Sequence, residues 1–414
     1  MHHFLIRSSR IAAGVGFLVA ATAAVAGQSP ATTVFEGARI IIGDGQPPIE
    51  NGAFVVSGNR IVQVGRAGSV KVAQGTTRVS LAGKTVMPTI VDTHTHLSQT
   101  REALTEDLRR RAYYGVSAAM SLGQDAGDLP FEMRAQTLPG AARFFTAGRG
   151  ITMPEPGRSD VPYWITTVDE GRQAVQELAA KKVDIVKIWV DDRDGKYKKL
   201  TPDLYRPIIE EAHKRSLRVT AHIFTLDDAK GLLRAGIDAF AHGVRDRDID
   251  DEGLALFKSR PNVVVVPNLP DRGVKTDVSW LRDSLPEAEF KKLQAGAIDR
   301  PELQGPFGIQ ARNLAKLNGA GVKIALGTDG NIPWSAHLEM ADMVSSGMTP
   351  MQVIVASTRN AAEFLRMNDA GTIAANKSAD FIVLDANPLD DIANTRRIAS
   401  VYLRGVAVDR KARP

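Results

Sequence analysis

The chain has 414 residues, 43% of them hydrophobic and 24% charged, which excludes a disordered chain and allows one large domain or two. Its formal net charge of +5 is spread along the sequence and accompanies no nucleic-acid-binding motif. Cysteine is absent, so disulfides, thiolate metal ligands and a cysteine nucleophile are all excluded.

Arg7 and Arg10 precede an apolar, Ala-rich run over residues 11–25, and Ala24-Val25-Ala26 forms a small-x-small pattern. This is the layout of a secretory signal peptide cut after Ala26, so a secreted or periplasmic protein is expected. The run is too short and too rich in Ala for a spanning helix, so no stable membrane anchor is expected after cleavage.

Residues 35–42, 53–57, 60–64 and 77–81 are short β-prone runs separated by the turn signals Gly43-Asp44-Gly45, Asn51-Gly52 and Gly58-Asn59. Such strands cannot bury a core alone and are expected to pair with strands from elsewhere. From Val86 the pattern changes, and short apolar runs alternate with helical stretches. The expected strands are 86–96, 116–122, 141–147, 184–190, 217–222, 237–242, 263–266 and 322–329. Helices are expected over 102–114, 169–181, 203–215, 226–235 and 311–318. Eight strands with intervening helices predict an α/β fold of the (β/α)8 TIM-barrel type over residues 87–365. An open doubly wound sheet is the alternative, weakened because no Gly-x-Gly-x-x-Gly follows the first strand. Two long loops, 150–165 and 267–307, would follow strands three and seven on the face where barrel active sites form. Helices over 334–346 and 350–365 come next, and β-prone runs return at 381–384 and 401–408. Residues 27–86 and 366–414 are therefore expected to build a small β-sandwich domain from both chain ends. The basic clusters Lys181-Lys182, 196–199 and 109–111 read as solvated faces.

The placement of polar residues carries the functional reading. The first barrel strand ends in His94-Thr95-His96. Side chains alternate along a strand, so both imidazoles point the same way and can reach one metal ion. Lys187 lies within strand four, His222 ends strand five, His242 ends strand six and Asp329 ends strand eight. All would point into the catalytic end of one barrel. Each has a plainer reading alone: a core histidine, a lysine paired with Asp191 or Asp192, or an aspartate capping the next turn before Gly330. Jointly they point to a metal site. His213, on a charged helix face, reads as a surface residue. His337, just after strand eight, is a candidate substrate contact or a solvated helix residue. An ammonium at Lys187, among Ile185, Val186, Ile188 and Trp189, would be costly to bury. Reaction with carbon dioxide would turn it into an anionic carbamate able to bridge two cations.

These motifs resemble the amidohydrolase superfamily. The likeness rests on Pro88-Thr89-Ile90-Val91-Asp92-Thr93-His94-Thr95-His96, Asp184-Ile185-Val186-Lys187-Ile188, Thr220-Ala221-His222, Ala241-His242-Gly243, Gly327-Thr328-Asp329 and Ser378-Ala379-Asp380-Phe381-Ile382-Val383-Leu384-Asp385. Within it, the chain is similar to the branch of imidazolonepropionase-related proteins and Xaa-Pro dipeptidases with a carboxylated lysine. The resemblance implies two divalent metal ions, zinc for preference. His94, His96 and Asp329 would hold one and His222 and His242 the other, bridged by carboxylated Lys187 and a hydroxide, with Asp329 as the proton shuttle. Two segments depart from that branch. Met120-Ser121-Leu122-Gly123 stands where an Arg-Asp pair is common, and Pro156-Gly157-Arg158-Ser159 where Gly-Gly-His-Gly is common. Arg149 or Arg158 would then bind a substrate carboxylate. The expected function is hydrolysis of an amide bond in a dipeptide, Xaa-Pro or N-acyl amino acid substrate. Alternatives are a lactone, carbamate or phosphotriester hydrolase with the same site, a mononuclear deaminase-type enzyme, and a metal-free binding protein. A homo-oligomer is compatible with the sequence.

Overall fold

The structure, a computed structural model, describes Met1 and residues 32–411. The expected signal segment, Met1 apart, lies outside the described residues. Among the described residues no helix is long and apolar enough to cross a membrane.

The strands in chain order are β1 (Thr32–Ile40), β2 (Ile49–Ser57), β3 (Arg60–Arg66), β4 (Thr77–Ser80), β5 (Thr85–Pro88), β6 (Ile90–Thr95), β7 (Val116–Ser121), β8 (Arg143–Thr146) and β9 (Ile151–Thr152). They continue with β10 (Tyr163–Trp164), β11 (Val186–Val190), β12 (Val219–Ile223), β13 (Ala239–Ala241), β14 (Val264–Val266), β15 (Lys323–Ile324), β16 (Phe381–Leu384), β17 (Ile398–Leu403) and β18 (Val406–Ala407). Both chain ends share one eight-stranded sheet, ordered β18-β17-β16-β5-β1-β2-β3 with β4 beside β1. The ladder is one sheet where a sandwich of two was expected. The reason lies in β1, which changes partner along its length. Thr33 to Glu36 pair with β4, and Arg39 and Ile40 pair with β5. Gly37, at a φ of 88°, makes the break between them. Aromatic rings from the two ends lock the sheet. Phe35 stacks on Phe54 at 5.0 Å between centroids, and Phe381 stacks on Tyr402 at 4.5 Å.

The remaining strands are parallel and form two sheets, β6-β7-β8 and β10-β9-β11-β12-β13-β14-β15. Each of the eight strands expected from residue 86 onward is present. Backbone hydrogen bonds cross the gaps between the sheets. Thr93 N–H donates to Leu326 O at 3.0 Å and Asp329 N–H to His94 O at 2.8 Å on one side, and Asp184 N–H donates to Thr146 O at 3.0 Å on the other. Gly327 makes the first crossing possible, since a Cβ there would lie 2.5 Å from Val266 Cγ1 and 2.8 Å from His94 Cβ.

The helices between the strands begin and end where local chemistry dictates. Thr167 and Glu170 form a reciprocal capping box at the helix Val168–Ala180, and Gly236 closes the helix Leu226–Ala235 in a left-handed turn with φ of 94°. The stretch expected as one helix over 350–365 is interrupted by a π-helical turn, Ala356–Asn360. Three helices escaped sequence reading: Leu129–Arg134, Asp251–Lys258 and Glu287–Gly296. The last gives the expected loop 267–307 structure of its own.

One basic cluster is not a solvated face. Arg111 is fully buried and lies 3.6 Å from the equally buried Asp92. Its Nη2 donates to Gly330 O at 3.0 Å and its Nη1 to Ile332 O at 3.5 Å. Asp92 in turn accepts from Thr328 N at 3.1 Å and Thr328 Oγ1 at 2.8 Å. The pair thus grips the segment on both sides of Asp329. Removing one partner leaves a buried charge uncompensated. Arg111→Met should therefore cost about 3–5 kcal/mol in a denaturant titration. An unchanged midpoint would show that the pair adds nothing.

A candidate metal centre at the ends of parallel strands

The donor atoms expected from sequence come together at the C-terminal ends of the parallel strands. His94, His242 and Asp329 each offer a ligand atom, all within 4.8 Å of one another. His94 Nε2 is 3.0 Å and His96 Nε2 2.9 Å from the same oxygen, Asp329 Oδ1, and His242 Nε2 is 3.5 Å from Oδ2. The rings of His222 and His242 are 4.5 Å apart. Backbone conformation is unusual here, with positive φ at His242 (127°), Asp329 (55°) and Asn268 (44°). Non-glycine residues accept that cost where the surrounding structure holds them, as at functional sites.

Electrostatics suit a cation. Burial pushes His94 down to about 4 and His222 to about 3, so both imidazoles are neutral at pH 7. Burial also works against the Asp329 carboxylate, but the imidazoles of His94, His96 and His242 more than offset it and hold it well below the usual range. His94 Nδ1 lies 2.9 Å from Asn268 Oδ1, an acceptor, so its proton sits on Nδ1 and the lone pair of Nε2 faces Asp329. A bare nitrogen lone pair opposite a carboxylate oxygen lacks a positive charge between them. His94 Nε2, His96 Nδ1, His242 Nδ1 and Lys187 Nζ are all buried without a hydrogen-bond partner. His94 Nε2, which faces Asp329, and Lys187 Nζ are the orphaned atoms placed to fit a metal ion; the Nδ1 atoms of His96 and His242 lie across their rings from Asp329.

Lys187 is fully buried in β11. Asp191 does not pair with it. Burial pushes its amine down to about 7, with Asp329 opposing and Arg245 and Arg193 adding to the fall. The fall favours the neutral amine, the form that reacts with carbon dioxide. Trp189 lies beside it, 5.3 Å from Nζ to the ring centroid. The ring covers Gly150, where a Cβ would come within 2.0 Å of Trp189 Cζ3.

His222 stands apart. Its Nε2 is 2.8 Å from Asp191 Oδ2 and 3.0 Å from Arg193 Nη1. Arg193 also reaches Asp191 at 2.7 Å and Glu155 at 3.2 Å. The substrate contacts expected from sequence are placed differently. Arg149 donates to Val161 O at 2.5 Å and lies 3.9 Å over the Tyr163 ring. Arg158 pairs with Glu155 at 2.9 Å. His337 is buried, with Nδ1 3.0 Å from Thr395 Oγ1 and Nε2 2.9 Å from Tyr114 O, so neither nitrogen is left for a substrate or for solvent. His213 is exposed and pairs with Asp238 at 2.8 Å.

The loop after β14 walls the site. A cavity of about 260 Å³ beside Thr328 is lined by Leu269, Arg272, Glu339 and Asp342. Leu338 and Thr276 connect it to an apolar one of about 510 Å³ lined by Val278, Leu293, Ile332 and Trp334.

The sequence profile described as "Amidohydrolase family" matches residues 164–408. The chain belongs to the amidohydrolase family. Members of that family are hydrolases acting on carbon–nitrogen bonds. Among relatives, the chain is 25% identical over 301 residues to an ochratoxinase of Aspergillus niger, covering 67% of this chain and 55% of that protein. The chain thus spans about half the length of that relative. It is 26% identical over 394 residues to the imidazolonepropionase of Streptomyces coelicolor, covering 88% of this chain and 94% of that protein. Among solved structures, a Xaa-Pro dipeptidase with bound methionine in its active site superposes with a TM-score of 0.72 at 22% identity, covering 91% of this chain and 99% of that one. That likeness establishes the amidohydrolase fold.

Proposed function

We propose that this amidohydrolase is a metal-dependent enzyme that cleaves an amide bond in a dipeptide, Xaa-Pro or N-acyl amino acid substrate, and that it acts after export. The two parallel sheets are read as arcs of one (β/α)8 barrel, and the seam hydrogen bonds of Thr93, Asp329 and Asp184 support closure. The observation that carries the functional reading is the convergence of the Nε2 atoms of His94, His96 and His242 on an ionised Asp329, with Lys187 Nζ buried and unpartnered.

His94, His96, His242, Asp329, Lys187 and, once freed from Arg193, His222 would hold two zinc ions. Bound there, they supply Lewis acidity and bring the pKa of water to about 7. The protein does the rest. Asn268 fixes the His94 tautomer. Asp329, with 36% of its side chain exposed, stands where it can take a proton from water and return it to the leaving amine. The more apolar of the two neighbouring cavities, lined by Val278, Leu293, Ile332 and Trp334, offers room for an apolar side chain.

The test is amine release by the zinc-reconstituted protein across dipeptides and N-acyl amino acids. Turnover of a coherent subset, abolished by a chelator and restored by zinc, is the expected result. Silence with metal demonstrably bound would move the assignment to lactones, carbamates or phosphotriesters. A mononuclear site is the second reading, favoured by the engagement of His222 with Asp191 and Arg193. Metal analysis separates them: two equivalents per chain are expected, and one would select the second reading.

A further inference from the structure

Three arginines of the loops that follow the parallel strands are already committed. Arg149 is spent on its own loop, Arg158 on Glu155, and Arg193 on Glu155, Asp191 and His222. Arg245 is different. It follows His242 by three positions, and its backbone N–H donates to Phe224 O at 2.9 Å. That bond ties the end of β13 to the end of β12, beside His222. Its guanidinium has no hydrogen bond or ion pair among the described residues, and its Nε is buried without a partner. Three residues beyond His242 and bonded through its backbone two residues beyond His222, it sits at the same strand ends as the donors, and its charge bears on Lys187, His222, His242 and Asp329. The two carboxylates that face it, Asp329 and Asp191, already serve the histidines and Arg193.

A part-buried guanidinium with no anion is costly unless a ligand supplies one. Its planar fork matches a carboxylate. In a dipeptide or N-acyl amino acid, the free carboxylate is separated from the scissile nitrogen by a single carbon. An arginine beside the donor cluster, rather than at the far end of a cavity, therefore has the right reach. We infer that Arg245 is the specificity-determining residue that grips the α-carboxylate of the amino acid released on cleavage. This rests on the amide-hydrolase reading above.

Calorimetric titration of the zinc-loaded chain tests it without turnover. The probes are free L-amino acids and the matching amino alcohols, which lack only the carboxylate. The wild type should bind its best amino acid at least about tenfold more tightly than the alcohol. Arg245→Met should erase that preference and leave the alcohol unchanged. If the Met variant lacks a native thermal transition, Arg245→Lys carries the test. It keeps the charge without the fork, so a partial loss is expected and full retention overturns the inference. A Met variant that keeps the preference, or a wild type that shows none, also overturns it. Carboxylate preference without amide turnover would leave Arg245's role standing and strike only the hydrolase reading.

Discussion

Exchanging Asp329 for Asn should lower kcat by about 10²- to 10⁴-fold, the usual worth of a positioned acid–base group. Asn keeps the shape and one oxygen donor, so the loss reports proton transfer rather than collapse of the site. The two imidazoles that converge on Oδ1 at 2.9 and 3.0 Å lose an anion, so metal affinity falls too. Metal titration alongside kcat at saturating zinc separates the two effects. Residual activity within tenfold of wild type would remove Asp329 from the proton pathway.

Lys187→Met should produce a protein that is more stable without metal yet inactive with it. Methionine fills a similar volume with no amine to desolvate. The folded-state pKa of Lys187, about 7, lies below its ordinary value of 10.5. The unfolded chain therefore binds a proton that the folded chain does not between those two values. The burden on stability grows as pH falls from 10.5 and is complete below about 7. The gain from Met should be several kcal/mol, roughly, at pH 6 and should fade toward pH 10. Metal stoichiometry should drop from two to one or fewer, and bicarbonate, which should speed zinc reactivation of the wild type, should do nothing for the variant. Two tightly held zinc ions in Lys187→Met would sink the carbamate assignment.

Periodicity and placement carried much of this from sequence. The eight expected strands were readable because each is a short apolar run, and several close on a polar residue, as in Val219-Thr220-Ala221-His222. His94, His242 and Asp329 converge because strand ends in such a sheet share one face. What was illegible depends on partners far away in sequence. Arg111 looked like part of a basic helix face, and only the fold brings it to Gly330. Asp92 could have been suspected, since it sits two residues before His94 on the same side of a buried strand. Asn268 and Arg193 lie in irregular backbone, where no period predicts direction. Arg149 and Arg158 were chosen for their charge, but charge alone does not say which arginine already has a partner.

The shared sheet has a consequence for the order in which the protein is made. Arg60 bonds to a carbonyl 316 residues downstream, and His96 meets Asp329 across 233 residues. The strand β5, which precedes the His94 strand, emerges early, but its neighbour β16 comes almost last. A growing chain cannot complete these contacts until its last strands have emerged. Topology of this kind folds slowly and late. Truncation before Phe381 would leave every metal donor in the chain and still remove the strand that pairs with β5, just ahead of the first two.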